Sequence, residues 1–97
     1  MKTLINKAIR QRNLLEFNYQ GLYRVVEPHT FGVYNNGNEL LVAYQIDGES
    51  TSRRPPFWSN FQIDEIEDVS ILENSFLGPR EGYKKGDKRF KFIYSEL

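Results

Sequence analysis

Arg24-Val25-Val26-Glu27-Pro28-His29-Thr30-Phe31-Gly32 is the stretch on which the reading of this chain turns. The valine pair calls for extended backbone, where branched side chains pack well on a pleated surface. Pro28 then interrupts, because a residue with no N–H and a fixed φ belongs at a strand end, a bulge or an edge. Arg24 and the chain's single histidine, His29, flank that interruption and are expected to do something other than fill a core. The stretch predicts a strand over residues 23–27, a change of direction at Pro28, and a new strand over 30–34.

Upstream, Leu15, Phe17 and Tyr19 alternate with Glu16 and Asn18, the period of a half-buried strand. Gln20-Gly21 supplies the turn into residues 23–27. Downstream, Asn36-Gly37 is the strongest hairpin dipeptide in the chain, and a strand over 39–46 returns from it. Its run Leu40-Leu41-Val42-Ala43 is apolar on both faces, as a central strand requires. Before all of these, Leu4, Ile5, Ala8 and Ile9 share one face while Lys2, Lys7, Arg10 and Arg12 take the other positions. That is a short amphipathic helix, with Thr3 as its expected N-cap. So short a helix is marginal alone and must dock on the sheet.

Residues 47–56 read as a loop carrying Arg53 and Arg54, with Phe57 or Trp58 opening the next apolar segment. The acidic cluster Asp64, Glu65, Glu67, Asp68 surrounds Ile66, and Val69 and Ile71 mark a further short strand. In the tail, Lys88 to Tyr94 interleaves cations with aromatics and suits either a strand or an arm. The fold class expected is mainly β with one N-terminal α-helix, closed as a small SH3-like or Sm-like barrel. Residues 1–76 would form the barrel with its helix, and residues 77–97 a basic and aromatic C-terminal extension of the same domain.

Ninety-seven residues allow one core. Thirteen basic and thirteen acidic groups cancel, yet residues 1–38, 39–78 and 79–97 carry +3, −6 and +3. The absence of cysteine removes disulfides and thiolate metal clusters and fits a cytoplasmic setting. The longest apolar run is far below the roughly 20 residues of a membrane span, so no membrane partner is expected. Catalysis is not expected either. There is no nucleophile elbow, no phosphate-cradling glycine loop, and one histidine without cysteine makes no common zinc site. No cofactor or metal is expected, since the acidic cluster on alternating strand positions would point to opposite faces.

The order of motifs resembles the WYL domain: Ala8-Ile9 in the helix, Leu15 to Tyr19, Arg24-Val25-Val26-Glu27-Pro28, Glu39 to Tyr44, and Phe61-Gln62-Ile63-Asp64-Glu65-Ile66. Phe76, Gly78-Pro79-Arg80 and Gly82-Tyr83 are similar to the tail of small stand-alone members. The name-giving triplet falls on Glu39-Leu40-Leu41, and Gln62 and Glu65 stand where the family usually has arginines. The resemblance implies an Sm-like or SH3-like barrel of bacterial and phage proteins, a ligand-sensing module of transcription regulators. Its suggested ligand is single-stranded nucleic acid or a nucleotide. With no helix-turn-helix ahead of the barrel, the chain is not expected to be a complete regulator of that design.

The residues expected to bind such a ligand are Arg24, His29, Tyr44, Arg53, Arg54 and Gln62. Arg24 offers a planar fork for phosphate on the exposed side of the sheet, or else an ion pair with Glu27 or another carboxylate. His29 either contacts phosphate or base or is a hydrogen-bonded structural residue. Tyr44 supplies a stacking face, and Arg53 and Arg54 beside Phe57 and Trp58 combine charge with aromatics. The rival reading is a protein-interaction module in which acidic middle and basic tail pair within a homo-oligomer.

Overall fold

A computed structural model describes all 97 residues, Met1–Leu97. Helix α1 (Lys2–Gln11) precedes strands β1 (Asn13–Tyr19), β2 (Leu22–Tyr34), β3 (Glu39–Gly48) and β4 (Phe57–Gln62). A single 3-10 turn, Ile63–Glu65, leads to β5 (Ile66–Ser75), and β6 (Phe90–Glu96) closes the chain. The protein is mainly β with one N-terminal helix, as its periodicities require. The helix starts two residues earlier than Thr3 predicts, with Met1 at the N-cap and no side-chain cap. Its end is set by Arg12 in the left-handed region, whose N–H returns to the Ile9 carbonyl. Ile5, Ala8 and Ile9 are buried against the sheet, the two isoleucines contributing about 1.5–3 kcal/mol each.

All strand pairs are antiparallel, in the order β4-β3-β2-β1-β5, with β6 on β2. The two strands expected around Pro28 are one strand of 13 residues. Pro28 faces Ala43 and Thr30 faces Val42, so His29 is an extra residue, a bulge that accommodates the missing proline donor. Val26 and Phe31 both enter the core although they are five positions apart, which strict alternation forbids and the bulge permits. Since β3 occupies one edge of β2, β1 and β6 share the other. Residues 22–26 pair with β1 and residues 30–34 with β6, and Pro28 lies between them.

The expected barrel does not close. β4 and β5 end the ladder order and no ladder joins them. The sheet nevertheless curls. Strands β4 and β1 lie three spacings apart, about 14 Å along a flat sheet, yet the rings of Phe61 and Phe17 meet at 5.0 Å and those of Phe61 and Tyr19 at 4.9 Å. Within the curl the Gln62 N–H of β4 donates to the Tyr19 hydroxyl of β1 at 3.0 Å. Outside the curl, Leu40, Val42 and Phe90 form a second, smaller apolar cluster, so β3 is covered on both faces. No helix is long and apolar enough to cross a membrane.

Candidate functional site: a cationic groove walled by the C-terminal strap

Arg24 is not on the exposed side of the sheet. It sits opposite Phe17 in the register and faces inward, 3 % exposed, at one end of the core. Its Nη1 donates to Gln45 Oε1 and its Nη2 to the Tyr19 carbonyl, each at 3.2 Å, while Nε has no partner. The guanidinium lies 5.5 Å from the Tyr19 ring centroid and 5.7 Å from that of Phe61. No carboxylate pairs with it, and burial pulls its pKa below the usual arginine range. A buried cation held by a carbonyl, an amide and two π-faces closes off the core; it does not present a fork to a ligand.

Glu27 pairs instead with Arg80 of the tail, Nε to Oε1 at 2.7 Å and Nη2 to Oε2 at 2.8 Å. His29 is fully buried beside this pair. The Arg80 backbone N–H donates to His29 Nε2 at 3.1 Å, so the Nδ1–H donates to the Glu27 carbonyl at 2.8 Å and the ring is the neutral Nδ1–H tautomer. Burial lowers its pKa below the ordinary histidine value. Trp58, Phe76 and Tyr83 enclose the ring at centroid distances of 4.6, 5.8 and 5.5 Å. Tyr44 is occupied as well, with Arg80 over its ring at 5.0 Å and Trp58 against it at 5.4 Å.

These contacts fasten residues 76–89, the connection between β5 and β6, across the outer face of β2, β3 and β4. The Trp58 indole N–H donates to the Glu81 carbonyl at 2.9 Å. Gly82 sits so close to that indole that a Cβ would come within 3.0 Å of its nitrogen. The Tyr83 hydroxyl donates to the Leu97 carbonyl at 2.7 Å, and burial pushes its pKa up to about 12.

Between this strap and β4 lies a cleft of about 410 Å³ that Arg53 and Lys84 share with Trp58, Ser59, Asn60, Tyr83, Asp87 and Arg89. Lys84, Asp87 and Arg89 also line a neighbouring cleft of about 500 Å³ with Lys85 and Lys88. The two form one groove with five cationic side chains and a single carboxylate, Asp87, which is already bound to Arg89 at 2.7 Å. That ion pair lowers the Asp87 pKa and raises the Arg89 pKa. Arg53 is braced by the Phe57 ring at 4.1 Å and by the Trp58 carbonyl at 3.1 Å and has no acidic partner.

The structure thus divides the residues expected to act together. Arg53 lines the groove, and Arg54 is exposed on the same loop. His29 and Tyr44 lie beneath the strap, Arg24 is inside the core, and Gln62 lines a separate small cleft with Gly37, Asn38, Glu39 and Asp64. Lys84, Lys85, Lys88 and Arg89 belong to the groove; Lys88 and Arg89 open the alternation of cations and aromatics in the tail, whereas Lys84 and Lys85 precede it. The acidic residues 64, 65, 67 and 68 are all exposed and join in no ion pair; Asp64 and Glu65 lie on the 3-10 turn rather than on a strand. Compared with family models, with curated proteins and with solved structures, the chain finds no match in any of the three.

Proposed function

We propose that the protein is a non-catalytic module that binds single-stranded nucleic acid or a nucleotide in the groove between β4 and residues 76–89. The observation that carries this reading is the groove itself, where cations without acidic partners stand beside two aromatic rings. Phosphates take the unpaired charges of Arg53, Lys84, Lys85 and Lys88, and Tyr83 or Trp58 offers an apolar surface to a base. The motif order that resembles WYL domains supports the same ligand class, with the contacts moved from Arg24 to the groove.

Fluorescence anisotropy of labelled oligothymidylate and oligouridylate at 50 and 200 mM salt tests it. Affinity should fall with salt at a slope of about 0.7 per phosphate neutralised. Lys84→Ala and Arg53→Ala should each weaken binding and lower that slope. Absence of binding at 50 mM salt, or binding indifferent to both substitutions, overturns the reading.

A second reading, self-association, is favoured by the acidic residues 64, 65, 67 and 68, which the basic tail leaves unneutralised within the chain. Light scattering at low salt decides it: a monomeric mass, unaltered by charge reversal of Glu65 and Glu67, sinks it.

A further inference from the structure

Residues 76–89 have no strand or helix of their own, and form one wall of the groove. Arg80 holds them to β2 by two contacts, its side chain on Glu27 and its backbone N–H on His29, and Phe76 and Tyr83 pack on the same imidazole. The ring is buried, neutral, and uses Nε2 as an acceptor, a role that only the unprotonated nitrogen fills. The donor is the backbone N–H of Arg80, whose guanidinium is also near. From β2 the ring is faced by Glu27, and from the strap by Arg80 and Tyr83; Trp58 and Phe76 complete its surroundings and do not ionise. The Glu27 carboxylate would favour an imidazolium, but both its oxygens are already engaged by Arg80.

We propose that His29 is a proton-sensitive latch on the strap, and that mild acid opens the groove by removing the acceptor of the Arg80 N–H and setting an imidazolium against the Arg80 guanidinium. The sheet beneath stays folded, because β1 to β5 and the helix form the main core without the strap. The ligand-release half of this inference rests on the groove reading; the opening itself does not. The direction of the His29 pKa agrees with the geometry, since burial disfavours the charged ring.

The opening is measured on the full chain without ligand. The His29 imidazole is titrated by NMR from pH 8 to 4.5, alongside hydrogen exchange of residues 76–89 corrected for intrinsic rates. Trp58, the only tryptophan, reports the same event by fluorescence. The expected result is at least tenfold faster exchange of the strap at pH 5 than at pH 7.5, with a midpoint matching the His29 titration, while β1 to β5 remain protected. His29→Gln, which keeps an acceptor and cannot titrate, should abolish the step. A strap equally protected at both pH values overturns the latch. So does a His29 that stays neutral to pH 4.5, a step unchanged in His29→Gln, or loss of protection throughout the sheet at the same pH. Should His29→Gln fail to fold, the coincidence of midpoints in the wild type still decides. Failure of oligonucleotides to bind at any pH refutes the groove reading and leaves the latch standing, whereas binding that persists at pH 5 with the strap open refutes only the coupling.

Discussion

The guanidinium of Arg80 holds the carboxylate of Glu27 by two parallel hydrogen bonds, although 53 residues separate them and Glu27 is buried while Arg80 is half exposed. The pair joins the outer face of β2 to a segment that no ladder holds. Arg80→Ala strands a desolvated carboxylate and should cost about 2–3 kcal/mol by urea denaturation. Arg80→Lys keeps the charge, loses the second prong, and should cost about 1 kcal/mol.

At Gly32 the backbone of β6 comes close against β2. A Cβ there would fall 2.2 Å from the Phe92 carbonyl oxygen, which is backbone and cannot swing aside. Gly32→Ala should therefore destabilise by about 3 kcal/mol or more and raise hydrogen exchange first in β6, a pattern that exchange mass spectrometry resolves.

Two groups, Tyr83 in the strap and His29 beneath it, set opposite pH limits. Tyr83 has a folded pKa of about 12 against an ordinary 10, so its contribution is complete below pH 10 and is lost as pH rises toward 12. His29 is displaced downward from 6.5, so the unfolded chain takes up a proton that the folded chain refuses, and stability falls as pH drops below 6.5 toward the lowered folded value. Denaturation midpoints across pH should show both slopes. Tyr83→Phe should remove the alkaline one and cost about 1 kcal/mol at neutral pH for the lost bond to Leu97.

Arg24 separates a structural from a ligand-binding role. Arg24→Ala leaves a void and two acceptors without donors, a loss of about 3 kcal/mol. Arg24→Met fills the space between Tyr19 and Phe61 without a buried charge, leaves the same two acceptors unpaired, and should cost less than the alanine variant, about 1–2 kcal/mol. Oligonucleotide affinity of the folded Met variant should remain within twofold of wild type; a tenfold loss would return Arg24 to the binding site.

Local signals were legible because they depend on neighbours in the chain. The Leu15, Phe17, Tyr19 alternation is β1, Asn36-Gly37 is the β2–β3 turn with Gly37 at φ 90°, and the apolar face of the helix is the face that docks. What depends on distant partners was not. Pro28 suggests a break, but the bulge at His29 lets β2 run on, and that shift of alternation puts the histidine under the strap. Arg24 looks exposed because arginine usually is, and nothing in its own strand reveals that Tyr19, Gln45 and Phe61 enclose it. The groove joins Arg53 to Lys84 and Arg89 across some thirty residues of chain, a proximity that only the docked strap creates.

The division of one β2 edge between β1 and β6 has an outcome for assembly. Take away the last strand, by proteolysis after the strap or by truncation, and residues 30–34 present a bare row of backbone donors and acceptors beside a completed β1 ladder. Such a half-empty edge is a template for strand exchange, and the segment best shaped to fill it is the β6 of another copy.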